Sequence, residues 1–261
     1  MEYAIQDVAQ IIGARTKALH DCTISILLTD SRRLSFPETS LFFALATKTN
    51  DGHRYVQDLY KLRVRNFIVS KMLPEFEQME EANFLLVKDV LAALQKLVAY
   101  HRKRFQIPVI GITGSNGKTV VKEFLYQLLH NEFDIVRSPR SYNSQIGVPL
   151  SVWEMNEKNT LGIFEAGISQ PDEMEKLQPI IAPTIGVLTS IGEAHQENFI
   201  SVNQKCLEKL MLFNESEAII YDGDNPLIST LIESACLSHK AIAWSRTDRQ
   251  APLFIESIEK R

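Results

Sequence analysis

The stretch Val109-Ile-Gly-Ile-Thr-Gly-Ser-Asn-Gly-Lys-Thr119 is an apolar run that breaks into a glycine-rich turn ending in Lys-Thr. It reads as a strand running into a phosphate cradle. Such a loop needs small residues so that several backbone N–H groups can converge on an anion, a lysine to reach the outer phosphates, and a hydroxyl for Mg²⁺. Gly114, Ser115, Asn116, Gly117, Lys118 and Thr119 supply these. Downstream, Val120, Val121, Phe124, Leu125, Leu128 and Leu129 recur with helical spacing, so the loop opens a helix whose positive end faces the phosphates. The general pattern G-x-x-x-x-G-K-[ST] would place a glycine at 112, where Ile112 stands, with glycines instead at 111 and 114. The plainer alternative is a glycine turn with a surface lysine. The strand before it and the helix after it argue for the cradle.

Working outward, apolar β-branched runs alternate with helical patterns through most of the chain, which predicts α/β architecture. A helix is expected near 4–13, with strand-like runs at 24–28, 41–45, 67–69 and 84–87. A second block carries strands at 109–113, 162–165, 185–190, 218–221 and 241–244. Between the blocks a long helical pattern, 89–105, is closed by Pro108. We therefore expect a small N-terminal α/β domain over 1–104, then a P-loop domain over 105–261 whose mostly parallel sheet is flanked by helices. The ending, Leu253-Phe-Ile-Glu-Ser-Ile-Glu-Lys-Arg261, reads as a strand without a closing helix, so a fragment is expected.

Composition narrows the class. At 261 residues, 45% hydrophobic and 23% charged, the chain has the make-up of a soluble globular protein of one large or two ordinary domains. A net charge of −4 argues against a nucleic-acid partner. The one basic run, His101-Arg-Lys-Arg104, reads as a solvated helix end. Three widely spaced cysteines, Cys22, Cys206 and Cys236, form neither a disulfide framework nor zinc spacing and fit a reducing compartment. The N-terminus lacks a signal-peptide pattern, and no run approaches the roughly 18 apolar residues of a membrane span. A cytoplasmic protein is expected.

Other polar positions fall at the ends of expected strands, where ligands bind in open parallel sheets. Glu165 ends the strand 162–165, and a carboxylate there can share a Mg²⁺ with Thr119. His195 lies beyond the strand 185–190. A lone histidine is more often a structural residue than a ligand, but its place in a nucleotide domain favours a ligand. Lys205 and Lys209 sit one helical turn apart on 201–213, so each ammonium disfavours the charge on the other. They read either as a solvated face or as a pair in which one lysine is neutral often enough to take up CO₂ as a carbamate.

T-G-S-N-G-K-T at 113–119, Y-N-S-Q-I-G-V-P at 142–149, F-E-A-G-I-S at 164–169 and T-S-I-G-E-A-H-Q-E-N-F at 189–199 together resemble the Mur ligases, with Ile112 as part of that signature. T-D-S-R-R at 29–33, L-F-F-A-L at 41–45 and D-G-H-R-Y at 51–55 extend the resemblance over nearly the whole chain. Within the family the chain is most similar to the members that add D-alanyl-D-alanine. The resemblance implies an N-terminal UDP-substrate domain, a central ATP-binding domain, and a cytoplasmic monomer making an amide bond on UDP-N-acetylmuramoyl-tripeptide through an acyl phosphate. ATP and Mg²⁺ are the implied cofactors, D-Ala-D-Ala the second substrate. The family's third domain, which holds most of the amine site, is not expected in this length of chain.

Residue by residue, the resemblance implies that Lys118 meets the β- and γ-phosphates and that Thr119 and Glu165 hold one Mg²⁺, with His195 helping to hold a second. The carbamylated lysine of the family lies about fourteen residues beyond that histidine, which selects Lys209. Asn143 falls on the family's Asn-Asn pair, whose second position is Ser144 here. Ser31 and Arg32 match the D-S-R near which the uridine end binds, while Asp30 and the trio 51–53 read as turn formers. Three other readings stand beside this one: a folylpolyglutamate synthase-like ligase, which usually begins near its phosphate loop, whereas roughly 100 residues precede it here; the Mur ligase adding the third amino acid; and a non-catalytic nucleotide-binding module.

Overall fold

Two units divide the chain, Met1–His101 and Arg102–Arg261. The structure, a computed structural model, describes residues 1–17, 19–192 and 198–259.

In the first unit, β1 (Tyr3–Ala4) leads into α1 (Ile5–Ile12), which buries Ile5, Val8, Ala9 and Ile12 on one face. Gly13 ends that helix in the left-handed conformation, φ 71°, a backbone state glycine adopts without a Cβ penalty. The expected strand at 24–28 is split in two. Its first part, β2 (Thr23–Ile24), pairs antiparallel with β1, and its second, β3 (Ile26–Leu28), pairs parallel with β4 (Ser40–Phe43), so one run serves two sheets. After α2 (Val56–Lys61) come β5 (Asn66–Val69), β6 (Asn83–Leu86) and α3 (Val90–Arg102). The order β3-β4-β5-β6 is parallel throughout. Its two inner strands are buried at every position, which is why, after an opening Ser40 or Asn66, they read as continuous apolar runs rather than alternating ones. Phe67, Phe84 and Phe76 stack in series beside them, with centroids 5.3 and 5.1 Å apart.

The second unit is a seven-stranded sheet, every pairing parallel. In chain order its elements are β7 (Val109–Thr113), α4 (Lys118–Leu129), β8 (Ile135–Arg137), α5 (Gly147–Trp153), β9 (Leu161–Glu165), α6 (Met174–Ile181), β10 (Ile185–Leu188), α7 (Val202–Leu210), β11 (Ala218–Asp222), α8 (Pro226–Ser234), β12 (Ala241–Ser245) and β13 (Leu253–Phe254). The strand order is β13-β12-β11-β10-β7-β9-β8. From β7 the chain first builds to one side, through β8 and β9, then crosses to β10 and builds to the other. The order therefore reverses between β7 and β10, and the crevice at the carboxyl ends of such a pair is where open α/β sheets take ligands. The loop after β7 and the segment after β10 meet there.

The basic run 101–104 is not a solvated helix end throughout. His101 and Arg102 are buried, and the Arg102 guanidinium donates to the backbone oxygens of Ile181, Ala182 and Phe105. A planar fork of donors is matched to the open carbonyls at the end of α6, and that satisfaction lets the charge go under.

Candidate nucleotide site

The loop between β7 and α4 is held by the segment that follows β10. Ser115 N–H donates to Ser190 O at 2.6 Å, and Ser115 Oγ exchanges hydrogen bonds with the backbone of Gly192. Thr189 Oγ1 donates to Asn116 O at 2.6 Å, joined there by Ser190 Oγ. Gly114 has φ 148°, and a Cβ on it would lie 2.0 Å from Thr189 Oγ1, so only glycine fits between the two segments. With Ser115 and the Asn116 carbonyl tied to this strut, the loop delivers the chain to Gly117, φ 83°, at the mouth of α4. The first amides of a helix have no intrahelical acceptor, and together with the dipole they make this end a place for an anion.

Two lysines from different helices converge on one oxygen. Lys118 Nζ, from α4, donates to Gly114 O at 2.8 Å, and Lys209 Nζ, from α7, donates to the same oxygen at 3.2 Å. Burial lowers the pKa of Lys118, with the Glu165 charge opposing the shift. Burial and the neighbouring Lys118 and Lys205 charges bring Lys209 down to about 7. Lys205 is also buried, and its ammonium donates to Gly192 O. The pair on α7 is therefore no solvated face. Its ammoniums lie under the loop, where Lys209 gives up its proton far more readily than an ordinary lysine.

Glu165, at the end of β9, is wholly buried. Its Oε2 accepts from Thr119 Oγ1 at 3.0 Å, while Oε1 lies 3.0 Å from the Lys122 ammonium and has no hydrogen-bond partner of proper angle. A carboxylate accepts about four hydrogen bonds. Glu165 is thus underbonded in a dry place, with a hydroxyl beside it, and this donor pair fits a hard cation that keeps several waters or phosphate oxygens. Among the described residues no group of three or more His, Cys, Asp and Glu could make a protein-only metal cage.

Sequence reasoning passed over Lys122. It lies one turn beyond Lys118, fully buried, and donates to the carbonyls of Ser138 and Arg140 as well as pairing with Glu165 and Glu123. Breaking such a pair from one side costs about 3–5 kcal/mol, because the other charge stays buried alone. The one available signal was the i, i+4 spacing from a loop lysine, which places it on the same helix face.

The remaining expected positions are distributed as follows. His195 lies outside the described residues. Asn143 O accepts from Gly167 N–H at 2.8 Å, just beyond Glu165, which brings Asn143 to the same strand end. Ser144 Oγ accepts from Gly147 N–H at 3.1 Å, so its hydroxyl serves the start of α5. In the first unit Ser31 and Arg32 stand on a single turn after β3, and the Arg32 guanidinium folds back onto Asp30 with contacts of 2.9 and 2.7 Å. That pairing holds the Asp30 carboxyl down to about 2. Asp51 caps its turn through the His53 N–H, and buried His53 accepts from Ser70 N–H through Nε2, so the trio 51–53 builds a turn.

This arrangement, an open parallel sheet with a lysine-ended loop at its switch point and a buried carboxylate facing the loop hydroxyl, is that of a nucleotide-binding α/β protein. The family model for the Mur ligase middle domain matches residues 112–260, and the chain belongs to the Mur ligase family. A UDP-N-acetylmuramoyl-tripeptide–D-alanyl-D-alanine ligase of Bacillus subtilis is 32% identical over 229 residues, 86% of this chain and 49% of that protein. The same-named ligase of Borreliella burgdorferi is 31% identical over 74% of this chain and 43% of its own length. A crystal structure of MurF from Acinetobacter baumannii shares the fold, with a TM-score of 0.88 at 24% identity over 99% of this chain and 56% of that one. MurF of Thermotoga maritima, solved in complex with ADP, superposes with a TM-score of 0.73 at 24% identity over 85% of this chain and 51% of its own. The chain spans about half the length of the curated relatives it matches.

Proposed function

We propose that this chain is the UDP-substrate-binding and ATP-binding part of a cytoplasmic, ATP-dependent ligase of peptidoglycan precursor synthesis, adding D-Ala-D-Ala to UDP-N-acetylmuramoyl-tripeptide. The observation that carries the reading is buried Glu165 hydrogen-bonded to half-buried Thr119 at the mouth of the phosphate loop, with Lys118 and Lys209 gathered on Gly114 O. The names of the relatives supply the substrate, and the ADP complex of the Thermotoga protein supports the nucleotide. The domain roles follow: residues 1–104 take the UDP end, near Ser31 and Arg32, and 105–261 take ATP.

In this reading the amides from Asn116 to Thr119 and the Lys118 ammonium neutralise the β- and γ-phosphates and hold them in line with the terminal carboxylate of the tripeptide, while the Ser115 amide stays on Ser190 O. That carboxylate attacks the γ-phosphorus, ADP leaves, and the amine of D-Ala-D-Ala attacks the carbonyl carbon of the resulting acyl phosphate, losing a proton and expelling inorganic phosphate as the amide forms. Protein groups need do little covalent work in phosphoryl transfer, so positioning and charge neutralisation dominate. Mg²⁺ would be held by Thr119 and Glu165, with His195 and carbamylated Lys209 at a second ion, and it would supply charge neutralisation on the phosphates. Lys209 suits carbamylation because only the neutral amine attacks CO₂. Asn143 and Ser144 are assigned to the substrate side of the same strand ends.

Calorimetry on this chain tests the reading. ADP with Mg²⁺ should bind, and Lys118→Ala should weaken it at least tenfold with the melting temperature held. UDP-N-acetylmuramoyl-tripeptide should bind more tightly than its dipeptide precursor. Unchanged ADP affinity in the variant sinks the nucleotide assignment, while preference for the dipeptide moves the chain to the ligase that adds the third amino acid. In a protein that also carries the third domain, ATP-dependent phosphate release that requires D-Ala-D-Ala separates a ligase from a binding module.

A further inference from the structure

Lys122 is a fully buried cation that the reaction outlined above does not use. Its surroundings are built for it. The turn after β8 presents two carbonyls to the ammonium, those of Ser138 and Arg140, and Arg140 takes the left-handed conformation, φ 51°, that a residue with a Cβ adopts only under constraint. Ser138 Oγ in turn accepts from the Glu165 N–H at 3.2 Å, so the same turn that seats Lys122 also fixes the backbone of the carboxylate.

The consequence falls on the two oxygens of Glu165, which are not equivalent. Oε2 faces the Thr119 hydroxyl, and Oε1 faces the Lys122 ammonium at 3.0 Å. A cation bridging both oxygens would have to come against a fixed positive charge. Ca²⁺ takes six to eight oxygens and readily uses a carboxylate through both, whereas Mg²⁺ requires an octahedron and takes carboxylates through one.

We propose that Lys122 leaves Glu165 only one oxygen for coordination and so makes this site select a small six-coordinate cation over a larger one, Mg²⁺ over Ca²⁺. Lys122 is a positioning residue: its ammonium is taken up by Glu165, Glu123 and the carbonyls of Ser138 and Arg140, and it acts through the carboxylate. The inference rests on the assignment of Thr119 and Glu165 as the cation's ligands.

The test is binding, not turnover. Mn²⁺ is titrated into the chain with ADP and followed by electron paramagnetic resonance, then displaced by Mg²⁺ or by Ca²⁺, with ADP alone as the reference. In the wild type Mg²⁺ should displace protein-held Mn²⁺ at least tenfold better than Ca²⁺, after correction for ADP. Lys122→Met should shrink that gap to threefold or less, and Lys122→Arg, which keeps a cation on Oε1, should retain it. A folded Lys122→Met chain that keeps the full gap overturns the proposal. Equal displacement by the two ions in the wild type overturns it without any variant. Failure of the wild type to hold Mn²⁺ beyond what ADP holds removes the Thr119–Glu165 site itself, and the inference with it.

Discussion

Sharing the Gly114 oxygen brings two positive charges together under the phosphate loop, and the strain of that arrangement is carried by Lys209. Its pKa is about 7 in the folded chain against 10.5 for an ordinary lysine, from burial first and the neighbouring ammoniums second. Between those values the unfolded chain holds a proton that the folded chain has lost, so this residue makes stability rise with pH from about 7 to 10.5. Below pH 7 both states are protonated and the cost of burying the charge is present in full. Lys209→Met should therefore be more stable than wild type at pH 6, by on the order of a few kcal/mol, and should lose that advantage by pH 10. Urea midpoints at pH 6, 8 and 10 in CO₂-depleted buffer measure it, and a difference independent of pH would refute the depressed pKa. At this scale the loop residues 114–119 were legible because their chemistry is local, a run of small residues before Lys-Thr. Lys122 was not. In Val-Val-Lys-Glu-Phe it reads as an ordinary surface lysine, and what buries it are carbonyls 16 and 18 residues further on. The burial of Arg102 escaped for the same reason, since its partners at Ile181 and Ala182 are distant in sequence.

Helix α4 shows how far periodicity carries at the next scale. Six apolar residues recur along it, and the spacing marks the helix without telling its faces apart. Val121, Leu125 and Leu129 pack against Ile110, Ile112 and Ile163, whereas Val120, Phe124 and Leu128 are 57%, 60% and 73% exposed. The strands were easier, because those of a covered parallel sheet are buried at every position, as β7 and β9 are, and so are apolar up to the polar residue that ends each, Thr113 and Glu165. Short β8, three residues with only Val136 buried, gave no comparable signal. Helix α7 carries both buried lysines and begins at Ser201, whose Oγ accepts from Gln204 N–H at 3.1 Å. Ser201→Ala should cost about 1 kcal/mol of stability, and Ser201→Asp should restore most of it, since an acid caps the same amide and favours the helix dipole. Chemical unfolding of the three chains checks this. A loss shared equally by Ala and Asp would mean that the serine acts through packing instead.

For the whole molecule, alternation of strands and helices was enough to indicate α/β units, but not the order of the strands. Order depends on where each crossover returns, and nothing local in 135–137 or 185–188 says that one strand lies at the edge and the other beside β7. The reversal between β7 and β10 is nonetheless what brings the 189–192 segment against the loop, and so it decides which amides a nucleotide should protect. Hydrogen exchange reads this unit by unit. ADP with Mg²⁺ should slow exchange at 114–119 and at 189–192 and leave the turn at 30–33 unchanged. UDP should do the reverse, slowing 30–33 through Ser31 and Arg32 while leaving the phosphate loop alone. Each ligand thus serves as the control for the other, because a general tightening of the chain would protect both regions with either ligand. Protection of 30–33 by ADP, or of 114–119 by UDP, would overturn the assignment of the uridine end to the first unit and of the phosphates to the second. Protection by ADP of the loop without 189–192 would leave the assignment standing but would show that the strut formed by Thr189, Ser190 and Gly192 already holds the loop in its binding shape before the nucleotide arrives.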